Sequence, residues 1–186
     1  GGRLLRDADS LPAPAKPPVV DRAIEDRILA MDPQNVSQAD VRNVLAKGPT
    51  PRIILMHGGI YPVHLAMESF GNFLAEMGYP EAKMRDPYDG TWSHSPYEDA
   101  ERLAGILAWY YEQDGMPPMI IGHSQGGMQA VKILHVLNGD YSSSVPVWNP
   151  MTDFPEKRDF IIDPLTGKKQ PVVGMRIAYV SAIGAG

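Results

Sequence analysis

The sequence predicts an α/β protein in which a parallel sheet carries flanking helices. Two strand–turn–helix units predict it, with a long helical stretch between them. The first unit opens on the apolar run Arg52-Ile53-Ile54-Leu55-Met56 and passes into His57-Gly58-Gly59-Ile60. The second opens on Met119-Ile120-Ile121 and turns through Gly122-His123-Ser124-Gln125-Gly126-Gly127. It continues from Met128 to Leu137 as a helix apolar on nearly every side.

Taken in order, the chain starts with a proline-rich segment. Residues 1–20 include Leu-Pro-Ala-Pro-Ala-Lys-Pro-Pro at 11–18, a flexible polyproline-type extension rather than a packed element. A tether left after signal-peptide removal would have this composition, which places the protein in the periplasm or outside the cell. The alternative is an extension of a cytoplasmic enzyme. Residues 21–31 carry Ile24, Ile28 and Leu29 at helical spacing. A second helix is expected after Ser37, with Val41, Val44 and Leu45 inward and Gly48-Pro49 as its stop. No convincing strand precedes Arg52.

After the first unit, Met67, Phe70, Phe73, Leu74 and Met77 mark the stripe of a helix from about Ala66 to Met77, ended by Gly78 and Pro80. Ala82 to Arg85 has the character of a short strand, and Asp86 to Ser95 that of a polar, aromatic loop. Ser95-Pro96-Tyr97-Glu98 reads as a capping box opening a helix to about Glu112. Its buried face is Ala100, Leu103, Ala104, Leu107 and Tyr111, and Gly115 with Pro117-Pro118 stops it. Val145-Pro146-Val147-Trp148 is expected as the next strand. Phe160 to Asp163 and Gln170 to Val173 flank Pro164-Leu165-Thr166-Gly167, which signals a hairpin.

The chemistry concentrates in the two turns. Gly122-His123-Ser124-Gln125-Gly126 fits G-x-S-x-G, the pattern of a nucleophile elbow. An elbow holds a serine at the tip of a tight turn between strand and helix. A Cβ on either side would clash, so glycine is needed there. A strand followed by His57-Gly58-Gly59 resembles the oxyanion loop of lipases and esterases, in which glycine lets the backbone approach a negative oxygen. The two motifs stand in the right order, and over roughly residues 50 to 150 the chain resembles the α/β-hydrolase superfamily.

That resemblance implies a serine hydrolase that cleaves a carboxylic ester or related acyl bond through an acyl-enzyme on Ser124. It implies an oxyanion hole from the Gln125 N–H and a second N–H from Gly59 or Ile60. His57 and His123 occupy positions where the family's histidines brace the loop. His135 lies eleven residues beyond Ser124 on the same helix, about 16 Å away and out of reach. The family order places an acid and then a histidine after the serine. Asp153 is the candidate acid; the others are Asp140, Glu156, Asp159 and Asp163, and no suitable histidine follows. Trp92 and His94 are candidates to line the substrate, against packing and capping roles in their loop. Trp109, Tyr110 and Tyr111 read as core or surface stripe, and Lys168-Lys169 as a solvated hairpin tip.

On this reading residues 21–150 are the nucleophile half of the hydrolase core, and 151–186 begin a cap with its hairpin. The fold is expected to be incomplete at the C-terminus. The missing acid and base then lie beyond Gly186 or on a second chain that completes the fold, and the isolated chain is expected to be inactive. The competing reading is a non-catalytic hydrolase-like module that binds a small molecule or a partner.

Composition narrows the rest. A chain of 186 residues defaults to one domain, and 44% hydrophobic with 21% charged residues is ordinary for a globule. A net charge of −5 without a basic cluster argues against nucleic acid. The absence of cysteine excludes disulfides and thiolate metal sites. No apolar run approaches the ~18 residues of a membrane span. No phosphate loop and no His-Glu-x-x-His appears, so no cofactor is expected. The partner expected is a small-molecule acyl substrate.

Overall fold

In a computed structural model the protein is described over residues 22–32, 34–35, 37–43, 51–58, 61–123, 125–176 and 179–183, with side chains undescribed at 61–66 and 179–183 among others. It is an α/β structure. Helices α1 (Arg22–Leu29) and α2 (Gln38–Asn43) precede β1 (Ile53–Met56), α3 (Tyr61–Glu76), β2 (Ser93–His94), α4 (Ala100–Asp114), β3 (Met119–His123) and α5 (Gln125–Asn138). Short strands β4 (Trp148–Asn149), β5 (Phe154–Pro155), β6 (Phe160–Ile162) and β7 (Lys169–Pro171) lead to β8 (Tyr179–Ile183). The central sheet has the order β2-β1-β3-β8, and every pair in it is parallel. Among the described residues no strand precedes β1.

The order follows from crossover handedness. The chain moves from β1 outward to β2 through α3, then back past β1 to β3 through α4, and onward to β8 through α5. Right-handed crossovers running in opposite directions put their helices on opposite faces. Side-chain alternation along the strands agrees. Ile53, Leu55, Met119 and Ile121 pack with Met67, Phe70 and Leu74 of α3 and with Trp92. Ile54, Met56 and Ile120 pack with Leu103, Leu107, Ile133 and Val136 of α4 and α5. Both sheet faces are covered, as a parallel sheet requires.

Helix α4 has a second cover. Val145 and Val147 are fully buried, and Gly105 lies so close to the segment before β4 that a Cβ there would stand 2.3 Å from the Pro146 carbonyl oxygen. The Arg158 guanidinium, 1% exposed, donates through Nη1 and Nη2 at 2.7 Å each to the two oxygens of Glu112 on α4. Its Nε reaches Glu156 at 2.7 Å, and the Ile162 N–H donates to Glu112 Oε2 at 2.7 Å. Burial opposes the charge on Arg158, but the bonds to Glu112 and Glu156 outweigh it and raise its pKa. The bidentate geometry is the strong form of this pair.

Several expectations shift. Helix α3 begins at Tyr61, five residues before Ala66. Pro62 in its first turn is compatible with a helix start, where an N–H has no partner to lose. Phe73 is 54% exposed, because Met67, Phe70 and Leu74 already define the inward face. Ala82 to Arg85 forms no strand; Glu81–Lys83 is a 3₁₀ turn. The strand sits instead in the supposed loop, at Ser93–His94. Helix α4 begins at Ala100 with Asp99 as N-cap, accepting from Glu101 N, and Gly115 closes it in the left-handed region as expected. Val145 to Trp148 does not join the central sheet: β4 pairs antiparallel with β5. The fourth strand is β8, within the stretch assigned to a cap. The hairpin is present, with Phe160 opposite Pro171. Val44, Leu45, Gly48, Pro49 and residues 1–20 lie outside the described residues.

Candidate active site

The sheet reverses direction between β1 and β3. The connection leaving β1 runs toward β2, and the one leaving β3 runs toward β8. In open α/β sheets a crevice opens at such a point, outside the carboxyl ends of the strands, and ligands bind there. In register Met56 lies beside Gly122, so the carboxyl ends of these two strands are neighbours. They lead into the two motifs the sequence singled out.

Contact between them is close. One residue separates β3 from α5. A Cβ on Gly122 would stand 2.4 Å from the Gly126 carbonyl oxygen, and one on Gly126 would stand 2.2 Å from the Met56 oxygen and 2.7 Å from that of His57. Real Cβ atoms do not tolerate such distances from backbone. Both glycines of the G-x-S-x-G pattern are therefore sterically required, and the second seats the turn on the end of β1. Ser124, Gly59 and Ile60 lie outside the described residues. Gln125 is exposed and opens α5, whose first N–H groups have no acceptor within the helix.

The described histidines are placed around this turn. His57 Nδ1 lies 2.7 Å from Ser93 Oγ, and the His57 N–H donates to the His94 carbonyl at 3.0 Å. His57 thus ties the end of β1 to β2. Its partner Ser93 was not singled out in the sequence, because nothing local marks Ser93 as a strand residue. His123 Nδ1 is enclosed and has no hydrogen-bond partner among the described residues. His135 pairs with Asp140 at 2.7 Å near the far end of α5.

A charged chain borders the same end of the sheet. His94 Nδ1 lies 3.1 Å from both oxygens of Glu98, and its Nε2 lies 3.8 Å from Asp86. Glu98 accepts from Arg102 Nη1 at 3.1 Å. Burial works against the Glu98 carboxylate, yet the bond from His94 and the charges of His94 and Arg102 outweigh it, and its pKa is lowered. Arg102 continues to Asp153 through Nε and Nη2 at 2.9 and 2.8 Å, and Trp148 Nε1 donates to the same Oδ1 at 2.9 Å. Asp153 sits at φ 55, a left-handed conformation that Asp tolerates better than most residues. Three donors converge on its Oδ1, and they fasten the β4–β5 turn to α4. Trp92 is 8% exposed, packed against Gly71 and under the Arg85 guanidinium at 4.4 Å. Trp92 is thus held by packing against α3 and β1, and His94 by strand pairing with Met56 and polar contacts to Glu98 and Asp86.

Two further contacts join that loop to α5. Gln129 Nε2 donates to the Glu98 carbonyl at 2.6 Å, and the Tyr97 hydroxyl lies 3.3 Å from Gln125 Oε1. Neither could be found from sequence spacing, since the partners are 28 or more positions apart. Among the described residues there is no group of three or more potential metal ligands, and no helix is long and apolar enough to cross a membrane.

The fold is α/β, with Gly126 packed against the end of β1 where the strand order of a parallel sheet switches. No family model matches the chain, and neither a curated protein nor a solved structure is significantly similar to it.

Proposed function

We propose that the protein is a serine hydrolase of the α/β-hydrolase type, acting on a carboxylic ester or related acyl bond. One observation carries the reading: the G-x-S-x-G turn rests through Gly126 on the backbone of Met56 and His57, where the His-Gly-Gly turn begins. Two motifs with complementary chemistry are thus in van der Waals contact at the sheet's switch point.

The mechanism follows. The Ser124 hydroxyl attacks the carbonyl carbon while its proton passes to a base. The carbonyl oxygen becomes an oxyanion and accepts from the Gln125 N–H and from an N–H of Gly59 or Ile60. Collapse of the tetrahedral intermediate expels the protonated alcohol, and water then releases the acid from the acyl-enzyme. One such oxyanion donor contributes about 3 kcal/mol at the transition state.

A second reading, a non-catalytic binding module of the same fold, is favoured by how three of the four histidines with described side chains are engaged: His57 with Ser93, His94 with Glu98, His135 with Asp140. A fluorophosphonate separates the two. Mapping its adduct by mass spectrometry in the full-length protein should find Ser124 modified and a Ser124→Ala variant unmodified. Labelling spread over other serines, or none above that of denatured protein, would overturn the hydrolase in favour of the binding module.

A further inference from the structure

Helix α5 does not bury its whole apolar surface. A groove of about 390 Å³ runs along it, between the loop before α4 and the residues after α5. Its walls include Tyr97, Met128, Val131 and Tyr141, together with the polar Gln125, Gln129, Lys132 and His135. Tyr97 is 78% exposed, Met128 57%, Val131 42% and Tyr141 60%. Single exposed apolar residues are ordinary, but four lining one groove mark a binding surface. The volume lies within the range of small-molecule sites.

Three features restrict the occupant. The groove reaches Gln125, the residue that follows Ser124 in the sequence. From Gln125 to Lys132 is seven residues, about 10 Å along the helix. Over that span Tyr97, Met128 and Val131 give the walls apolar and aromatic surface beside Gln125 and Gln129, with Met128 able to adapt to a flexible chain. At the end of that span the Lys132 ammonium stands over the Tyr141 ring at 6.0 Å. The nearby carboxylate of Asp140 is already bonded to His135 and Asn138. We propose that the groove holds the non-reacting arm of the substrate, an unbranched apolar chain of about 10 Å that ends in an anionic group at Lys132. This rests on Ser124 being the nucleophile, and it names the substrate class that nucleophile would meet.

Octanoate carries both features of the arm and needs no reaction to report on it. Protein labelled with ¹³C at the methionine methyls, titrated with octanoate, should show a saturating shift at Met128, assigned by Met128→Leu. Binding should be about tenfold tighter than that of butyrate, through the added apolar contact. Octyltrimethylammonium should bind several-fold more weakly than octanoate. Val131→Glu should abolish the shift, Lys132→Met should remove the preference for the anion, and Ser124→Ala should change nothing. Equal binding of butyrate and octanoate at Met128, a shift that survives Val131→Glu, or tighter binding of the ammonium would overturn the proposal. Fluorophosphonates with octyl and ethyl arms keep the two ideas apart. If neither modifies Ser124, the hydrolase reading fails. If both modify it at equal rates, the groove does.

Discussion

Helices α4 and α5 lie side by side on one face of the sheet, yet α4 is enclosed on nearly every side and α5 on only one. In α4 the buried residues include Leu103, Ile106, Leu107, Tyr110, Tyr111 and Glu112, which together point in all directions. In α5 they are confined to Gly126, Gly127, Gln129, Ala130, Ile133, Val136 and Leu137, while Met128, Val131 and Leu134 face outward. Hydrophobic content does not separate the two helices. Cover does: the segment from Val145 to Asp163 lies over α4, fixed at Gly105, Arg102, Glu112 and Tyr111. No described segment does this for α5. The polar anchors that α4 carries are what hold its cover in one register, and α5 keeps an apolar face available beside the proposed site.

The anchor at Glu112 is the place where the comparison breaks most sharply. Glu112→Ala leaves the Arg158 charge buried without its bidentate partner and the Ile162 N–H without its acceptor. The expected loss is about 3–5 kcal/mol in urea-induced unfolding. Replacing Glu112, Glu156 and Arg158 together by leucine should recover the part due to the uncompensated charge, because an all-apolar packing removes the desolvation penalty along with the attraction, while the Ile162 N–H stays without that acceptor. A loss under about 1 kcal/mol for Glu112→Ala would mean that water reaches the pair and that α4 is as open as α5.

Gly105 gives the next effect. A methyl there meets the Pro146 carbonyl oxygen at 2.3 Å and the Trp148 nitrogen at 3.0 Å, both backbone. In an uncovered helix Gly→Ala stabilises by up to about 1 kcal/mol. Under the cover Gly105→Ala should instead destabilise by about 1–3 kcal/mol, the range for overpacking. The sign of the change, read by thermal or urea unfolding, decides whether the cover sits on α4 in solution.

The same contrast explains what could be read from the sequence. Strands β1 and β3, helix α4 with its inward face, and the β6–β7 hairpin follow from apolar runs and turn residues that are local. Strand β2 does not, because Ser93 and His94 are polar and become a strand only by pairing with Leu55 and Met56. Tyr179 to Ile183 is apolar enough for a strand, but its return to β3 across more than fifty residues leaves no local mark. Glu112 sits among buried positions of α4, and only the distant Arg158 makes that burial tolerable. The sequence makes α5 apolar on nearly every side, but which side is covered is a property of another segment. At the site, the spacing of Gly122 and Gly126 was legible because sterics demand it, while the bracing of His57 by Ser93 was not.

The smallest expected effect tests the bare side of the comparison. Met128→Gln and Val131→Thr replace exposed apolar groups by polar ones of nearly equal helix propensity, so backbone preference drops out of the difference. If the outer face of α5 is solvated, each should change stability by no more than about 0.5 kcal/mol. Leu107→Ala, on the enclosed helix, should cost about 2–5 kcal/mol in the same assay. The contrast in chemistry is small and the contrast in burial is large, so the ratio reports cover directly. A loss above about 1 kcal/mol at Met128 or Val131 would show that something shields α5 in solution. Repeating the unfolding at tenfold lower protein concentration then identifies the shield, since a second copy of the chain would make that loss depend on concentration and an intramolecular cover would not.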